Sequence, residues 1–306
     1  SIAMSDISDE EMLACFLRGR LPHRLLADLE VFIEVVKTPL AIRSSSLLED
    51  SHYQPFAGIY STYMIPYDED KYCRLEMLAN AIKGVYASVY FRGSKDYMTA
   101  TSNVIDQEKM AVILQEVVGT QWGTRFYPTI SGVARSLNYY PIEDEKPEEG
   151  VVSLALGLGK YIVDGGLTLR VCPYHPTKVL QTKTMEMTLR ETQTSFYALD
   201  LKNRGENFSL DDGFNLLKLS VREADKDGAL QFIASTYDPY DMVIRDGIYP
   251  GGRKVITFAN ILQHDVFPLA KILQLVQQYG QAEMRRPVEI EFAVLLNQAK
   301  KTGTFY

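Results

Sequence analysis

Residues 40–50 read Leu40-Ala41-Ile42-Arg43-Ser44-Ser45-Ser46-Leu47-Leu48-Glu49-Asp50, followed after four residues by Pro55-Phe56-Ala57-Gly58. The opening of this stretch has the period of a strand. Leu40 and Ile42 fall on one face, and Ala41, Arg43 and Ser45 on the other. Arg43 is thus projected from an extended backbone beside hydroxyls and amides, and a planar guanidinium offers paired donors to phosphate oxygens. The same residues also suit a surface arginine leading into a serine-rich turn, and by themselves they leave both readings open. Glycine and proline mark Asp50 to Gly58 as a loop.

Working outward, Leu21, Leu25, Leu29, Phe32 and Val36 recur at helical spacing, after a smaller set at Met12, Leu13, Phe16 and Leu17. Pro39 predicts the end of that helix at Lys37-Thr38. Downstream, Leu75, Leu78, Ile82, Val85 and Val89 predict a second helix, with start signals at Pro66 and Asp68. Residues 110–118 form a near-continuous apolar run, which predicts a strand buried on both faces. Thr129 to Ser136 and Val151 to Leu156 read as strands, and the run Glu143 to Glu149 between them as a solvated turn. Alternation at Leu217, Leu219, Val221 and at Leu230, Phe232, Ala234 predicts a hairpin about Asp227-Gly228. Leu269, Ile272, Leu273 and Val276 predict a helix ending at Gly280. Pro287 to Leu296 reads as a last strand, and Lys300 to Gly303 as the turn of a hairpin whose return strand is missing.

Two further features bear on chemistry. In Pro287-Val288-Glu289-Ile290-Glu291-Phe292, alternation puts Val288, Ile290 and Phe292 toward a core and both carboxylates opposite. Neighbouring carboxylates are costly without a cation. Magnesium on nucleotide phosphates would meet that need, since it takes one or two carboxylates plus phosphate oxygens; a solvent-facing strand with two ordinary acids is the other reading. Gly157-Leu158-Gly159 follows a strand and can bring amides near a phosphate. It matches neither the P-loop nor the dinucleotide fingerprint, and a structural turn explains it as well.

The chain has 306 residues, of which 46% are hydrophobic, enough for two domains with real cores. A net charge of -7 argues against general nucleic-acid affinity. Three cysteines without metal-ligand spacing suit a reduced, cytoplasmic protein, and neither a signal peptide nor a membrane-spanning apolar run is visible. Ser1-Ile2-Ala3 before Met4 reads as a vector-derived remnant, so both ends are expected to be cut from a longer protein.

The stretch Ala41 to Asp50 with Pro55 to Gly58 resembles the V-R-S-S-x-x-x-E-D and S-F-A-G signature of the ATP-binding domain of pyruvate phosphate dikinases and phosphoenolpyruvate synthases. The resemblance continues in order. Gln115-Glu116-Val117-Val118 is similar to the family's Q-x-M-V hinge, and Ser131-Gly132-Val133-Ala134 with Ser136 to its S-G-V-x-F-S strand. Gly157-Leu158-Gly159 resembles its G-L-G-E turn, and Glu289 to Phe292 its D-I-E-W strand.

The resemblance implies an α+β, ATP-grasp-like fold: two subdomains with mixed or antiparallel sheets flanked by helices, and a nucleotide cleft between them. The expected subdomains are residues 4–110 and 111–306, the second truncated at its end. Arg43 would contact the phosphates of ATP as the catalytic cation, and Gln115, Glu116, Val117 and Val118 would hold the adenine. Gly157 and Gly159 would approach the nucleotide or pack beside it, and Glu291 would ligate Mg2+ with Glu289 in support. The reaction implied passes a phosphoryl group from ATP to a histidine on a swivelling domain, then to pyruvate on a barrel domain. His23, His52, His175 and His264 lack the family's carrier setting. The fragment is therefore expected to be incomplete and inactive alone, with no nucleic-acid or membrane partner. Phosphoenolpyruvate synthase is the branch favoured; a pyruvate phosphate dikinase, another dikinase, or a non-catalytic nucleotide sensor are the alternatives. Two departures stand out: Arg135 where the family has phenylalanine, and Lys160 where it has an acid after the glycine turn.

Overall fold

The computed structural model describes residues 7–46, 59–100, 109–205, 208–297 and 302–306. The chain forms two compact units: residues 1–117 with 199–216, and residues 118–198 with 217–306. Both place helices beside antiparallel sheets. No helix among the described residues is long and apolar enough to cross a membrane.

In unit 1, helices α1 (Asp9–Arg18) and α2 (His23–Val35) precede β1 (Leu40–Ser46) and β2 (Tyr63–Ile65); α3 (Lys71–Ser88), α4 (Arg92–Ala100) and β3 (Met110–Glu116) follow. Ser8 and Glu11 form a reciprocal cap on α1, and the Asp70 side chain caps α3 at the amides of Tyr72 and Cys73. The sheet runs β2-β1-β3, and its core face carries Leu40, Ile42, Tyr63 and Ile65 against Leu78, Ile82 and Val85 of α3. α3 also supplies cations to two helix ends. Buried Arg74 donates to the carbonyls of Ile33, Val36 and Thr38 at 2.9, 2.6 and 3.0 Å, beneath the Tyr67 ring at 4.8 Å. Lys83 donates to the Leu17 carbonyl at 3.1 Å, at the end of α1. Charge there complements the negative end of each helix dipole and satisfies carbonyls that the helix leaves open.

Two expectations in this unit need correction. The α2 stripe holds only in part: Leu29 is buried and Leu21, Phe32 and Val36 pack half-buried against the same core, but Leu25 is 37% exposed, Ile33 takes a buried place, and Leu21 precedes the helix. β3 is not buried on both faces. It lies at the sheet edge, and Ala111, Ile113, Gln115 and Glu116 are exposed. An apolar run cannot reveal how many layers will cover it.

Unit 2 begins with β4 (Thr120–Trp122), β5 (Arg125–Tyr127), β6 (Ile130–Arg135), β7 (Val151–Ala155), α5 (Lys160–Val163), β8 (Leu169–Val171) and α6 (Met185–Glu191). Then come β9 (Ser195–Asp200), β10 (Leu216–Ser220), α7 (Val221–Asp227), β11 (Ala234–Asp238), β12 (Val243–Asp246) and β13 (Arg253–Ile256). The last elements are α8 (Ala259–Leu262), α9 (Leu269–Met284), β14 (Glu289–Asn297) and β15 (Thr302–Phe305). Three sheets result, ordered β10-β9-β5-β4, β12-β11-β13 and β15-β14-β6-β7-β8.

Four sequence expectations change here. The hairpin about Asp227-Gly228 is instead β10 followed by α7, with Ser220 as N-cap and Gly228 as a left-handed C-cap at φ 77°. Asp-Gly suits a hairpin turn and a helix stop alike. Gly280 lies inside α9, which ends at Met284 with Arg285 as its C-cap; a Cβ at Gly280 would stand 3.2 Å from Ile290 and Val288, so this glycine admits close helix–strand packing. The return strand is present, because β15 pairs with β14 from Asn297↔Thr302 to Val294↔Phe305. The acidic run is not simply solvated: the Glu145 side chain is 4% exposed and is bound by Arg170.

Candidate functional site

In unit 1, β1 pairs antiparallel with β3, setting Ala41 opposite Gln115 and Arg43 opposite Ile113. Arg43 and Gln115 are therefore diagonal neighbours on the face away from the core. Arg43 Nη1 donates to Gln115 Oε1 at 3.3 Å. The end of β3 is closed onto the segment before β1: Thr38 Oγ1 donates to Glu116 Oε2 at 2.7 Å, and the Val117 amide to the Pro39 carbonyl at 2.9 Å. Val118, half-buried, begins unit 2. Four expected residues, Arg43, Gln115, Glu116 and Val117, thus share one corner of unit 1. The rest of the signature, Leu47 to Asp50 and Pro55 to Gly58, lies outside the described residues, as does His52.

The acids lie in unit 2 on β14, whose alternation is as expected: Glu289 and Glu291 are exposed, while Phe292 and Val294 are buried. Antiparallel pairing with β6 sets Glu289 opposite Arg135 and Glu291 opposite Val133. Arg135 Nε donates to Glu289 Oε2 at 2.6 Å, with side chains 47% and 54% exposed. The cation that two neighbouring carboxylates require is thus supplied at Glu289 by a protein side chain. Among the described residues no group of three or more His, Cys, Asp or Glu is disposed to hold a metal. Two carboxylates fit magnesium only in company with phosphate oxygens.

The glycine turn has a packing explanation at its first position. Gly157 has φ +87°, and a Cβ there would stand 2.7 Å from the Tyr197 carbonyl. Its own carbonyl accepts from Ser131 Oγ at 2.7 Å. Around Gly159 the nearest atom to an added Cβ is 4.0 Å away, so that position is open. Lys160, the first residue of α5, forms a 3.5 Å ion pair with Asp164, the C-cap of that helix.

Other reactive groups are committed elsewhere. His175 Nε2 contacts Glu149 at 3.1 Å, and His264 Nε2 contacts Asp246 at 3.0 Å. Burial pushes the Cys73 and Cys172 thiols up, away from nucleophilic thiolate. A cavity of about 560 Å³ in unit 2, lined by Trp122, Phe232 and Leu295 among others, contains none of the expected site residues. What sequence reasoning missed is the partnership of Arg135 with Glu289. Both residues were in view, but they are 154 positions apart, and only strand register joins them.

Known proteins resemble this chain along its length. Residues 3–306 match the family described as pyruvate phosphate dikinase, AMP/ATP-binding domain. A phosphoenolpyruvate synthase of Aeropyrum pernix is 23% identical over 291 residues, covering 91% of this chain and 30% of that protein. An uncharacterized phosphotransferase of Bacillus subtilis, YvkC, is 30% identical over 129 residues, 42% of this chain and 14% of its own length. The chain spans less than a third of either relative. By the extent of the family match, the chain belongs to the pyruvate phosphate dikinase AMP/ATP-binding domain family.

Proposed function

We propose that this chain is the ATP-binding part of a phosphoenolpyruvate synthase-like phosphotransferase, with an ATP-grasp-like division of labour between a part that carries Arg43 and a part that carries Glu291. The observation that carries this reading is the match to an AMP/ATP-binding domain along residues 3–306. Arg43 binds phosphate oxygens, and Gln115 orients it from the neighbouring strand. The segment Gln115 to Val118 holds the adenine, and the turn from Gly157 to Gly159 lies beside the nucleotide. Glu291, with Glu289, would hold magnesium together with the nucleotide's phosphates. Magnesium, when bound, would supply neutralisation of phosphate charge. The residues of this chain then act by positioning and electrostatics, with no covalent step of their own. The phosphoryl group passes to a histidine on a separate domain and from there to pyruvate; a pyruvate phosphate dikinase or related dikinase would use the same module.

Replacing Arg43 tests this directly. It lies off the core face, so Arg43→Ala is expected to leave the circular dichroism spectrum and melting unchanged. Charge-assisted hydrogen bonds contribute about 1.5–3 kcal/mol, so ATP affinity by calorimetry should fall on the order of ten- to a hundredfold. Wild-type affinity in that variant would remove Arg43 from the site. A nucleotide-sensing domain without catalysis is the second reading, and one observation favours it: Glu289 is already bound by Arg135. Tight ATP binding without phosphoryl transfer to any supplied carrier histidine would select it.

A further inference from the structure

The β6–β14 register makes Arg135 the direct cross-strand neighbour of Glu289 and the diagonal neighbour of Glu291. Diagonal positions lie about 7–8 Å apart at the backbone, within reach of an arginine. By register one arginine thus neighbours both acids, and its contact is with Glu289. It is held by a single hydrogen bond, from Nε to Glu289 Oε2. Among the described residues its two Nη groups have no acceptor, and the side chain is 47% exposed. Arg135 is the one exposed residue of an otherwise buried strand, so its backbone is rigid while its head meets solvent. Gln277 Nε2 fixes that backbone further, donating to the Arg135 carbonyl at 2.9 Å. The result is a guanidinium anchored through one nitrogen, with two amino groups left for a second planar or tetrahedral anion.

We infer that Arg135 is a second phosphate-contacting cation and that Glu289 is its positioning residue, not a metal ligand. This rests on the proposed nucleotide site and refines it, dividing the acidic pair between two tasks. Glu289 holds the arginine, and Glu291 alone serves the metal. A face carrying two carboxylates would repel a triphosphate; the arginine offsets that repulsion and offers a bidentate fork for phosphate oxygens. A lysine, with its point charge on a mobile stem, would replace it only in part.

The test is calorimetric titration of the full chain with ATP, once in excess Mg2+ and once in a chelator, for a set of variants. Arg135→Ala should weaken ATP about tenfold under both conditions, as loss of a charge-assisted contact does. Arg135→Lys should recover part of that loss. Glu289→Ala should weaken ATP several-fold, again equally with and without Mg2+. Glu291→Gln should abolish the enhancement by Mg2+ while leaving the chelator value intact. Melting curves separate these effects from misfolding, since both members of the pair are half-exposed. If Glu289→Ala abolishes the Mg2+ enhancement while Arg135→Ala changes affinity less than about twofold, the inference is overturned. Arg43→Ala in the same series distinguishes the two levels. If it weakens ATP and Arg135→Ala does not, only this inference falls; if neither does, the nucleotide site falls and takes the inference with it.

Discussion

Two arginine–glutamate pairs occupy the same face of the five-stranded sheet in unit 2, and they have opposite characters. Ser153 on β7 is paired with Arg170 on one side and Val133 on the other, and Arg135 lies two residues beyond Val133. Arg170 gives Nη1 and Nη2 to the two oxygens of Glu145 at 3.1 and 2.7 Å, and Nη2 also reaches the Tyr140 carbonyl at 3.1 Å. Glu145 accepts in addition from Asn138 Nδ2 at 3.1 Å and the Ile142 amide at 3.0 Å. With its carboxylate 4% exposed, this pair is saturated and closed. Arg135 and Glu289 share one bond in the open. Residue identity is the same in both cases. What differs is how many donors and acceptors the protein itself uses, and that separates a structural staple from groups available to a ligand.

The largest expected effect breaks the closed pair. Glu145→Ala strands the Arg170 guanidinium and the amide of Ile142 in a mostly buried setting, which should cost about 3 kcal/mol. Glu289→Ala, removing the same chemistry from an exposed pair, should cost less than about 1 kcal/mol. Urea unfolding of both variants measures the contrast. Equal losses would mean that saturation is not what distinguishes the two.

This contrast also shows how far the sequence can be read. Period-two alternation placed Ile290 and Phe292 inward and Glu289 and Glu291 outward, and β14 is built that way. The same rule put Arg43 off the core face of β1. Alternation is a local property, and local properties survive folding when one face is buried. Cross-strand partners are not local: nothing near Arg135 announces Glu289, and nothing near Glu145 announces Arg170. The acidic run around Glu145 read as solvated because its charge was visible and the arginine beneath it was not. At Asp227-Gly228 and Gly280, glycine marked real features, but the reason for it, a helix cap in one case and a packing contact in the other, needed the surrounding elements.

An intermediate effect sharpens the comparison through pH. Burial raises the Glu145 carboxyl, but the hydrogen bond from Arg170, the Ile142 amide and the charge of Arg170 outweigh it, and the group lies below its ordinary value of 4.5. A carboxylate depressed in the folded state contributes stability that is complete above its unfolded pKa and is lost as pH falls through the lower, folded one. Stability should therefore decline below about pH 4.5. Glu145→Gln, already missing the charge, should show a shallower decline than the wild type. Exposed Asp144, depressed by its hydrogen bond from Lys178, acts in the same direction. The informative quantity is thus the difference between the two curves across the acid range. Parallel curves would mean that Glu145 is no more strongly held in the folded chain than in the unfolded one.

The smallest effect is the coupling within the open pair. A double-mutant cycle on Arg135 and Glu289 should give about 0.2–1 kcal/mol at low salt, the range of exposed ion pairs. It should shrink toward zero in 1 M salt, where the screening length is roughly 3 Å. The same cycle on Arg170 and Glu145 should be several times larger and far less sensitive to salt, because buried charges are poorly screened. A weak coupling is what a pair must have if its arginine is to exchange a protein carboxylate for a phosphate without unfolding anything. Were the Arg135–Glu289 coupling as strong and salt-resistant as the closed pair, the guanidinium would be a second staple, and its two unspent amino groups would have no bearing on a ligand.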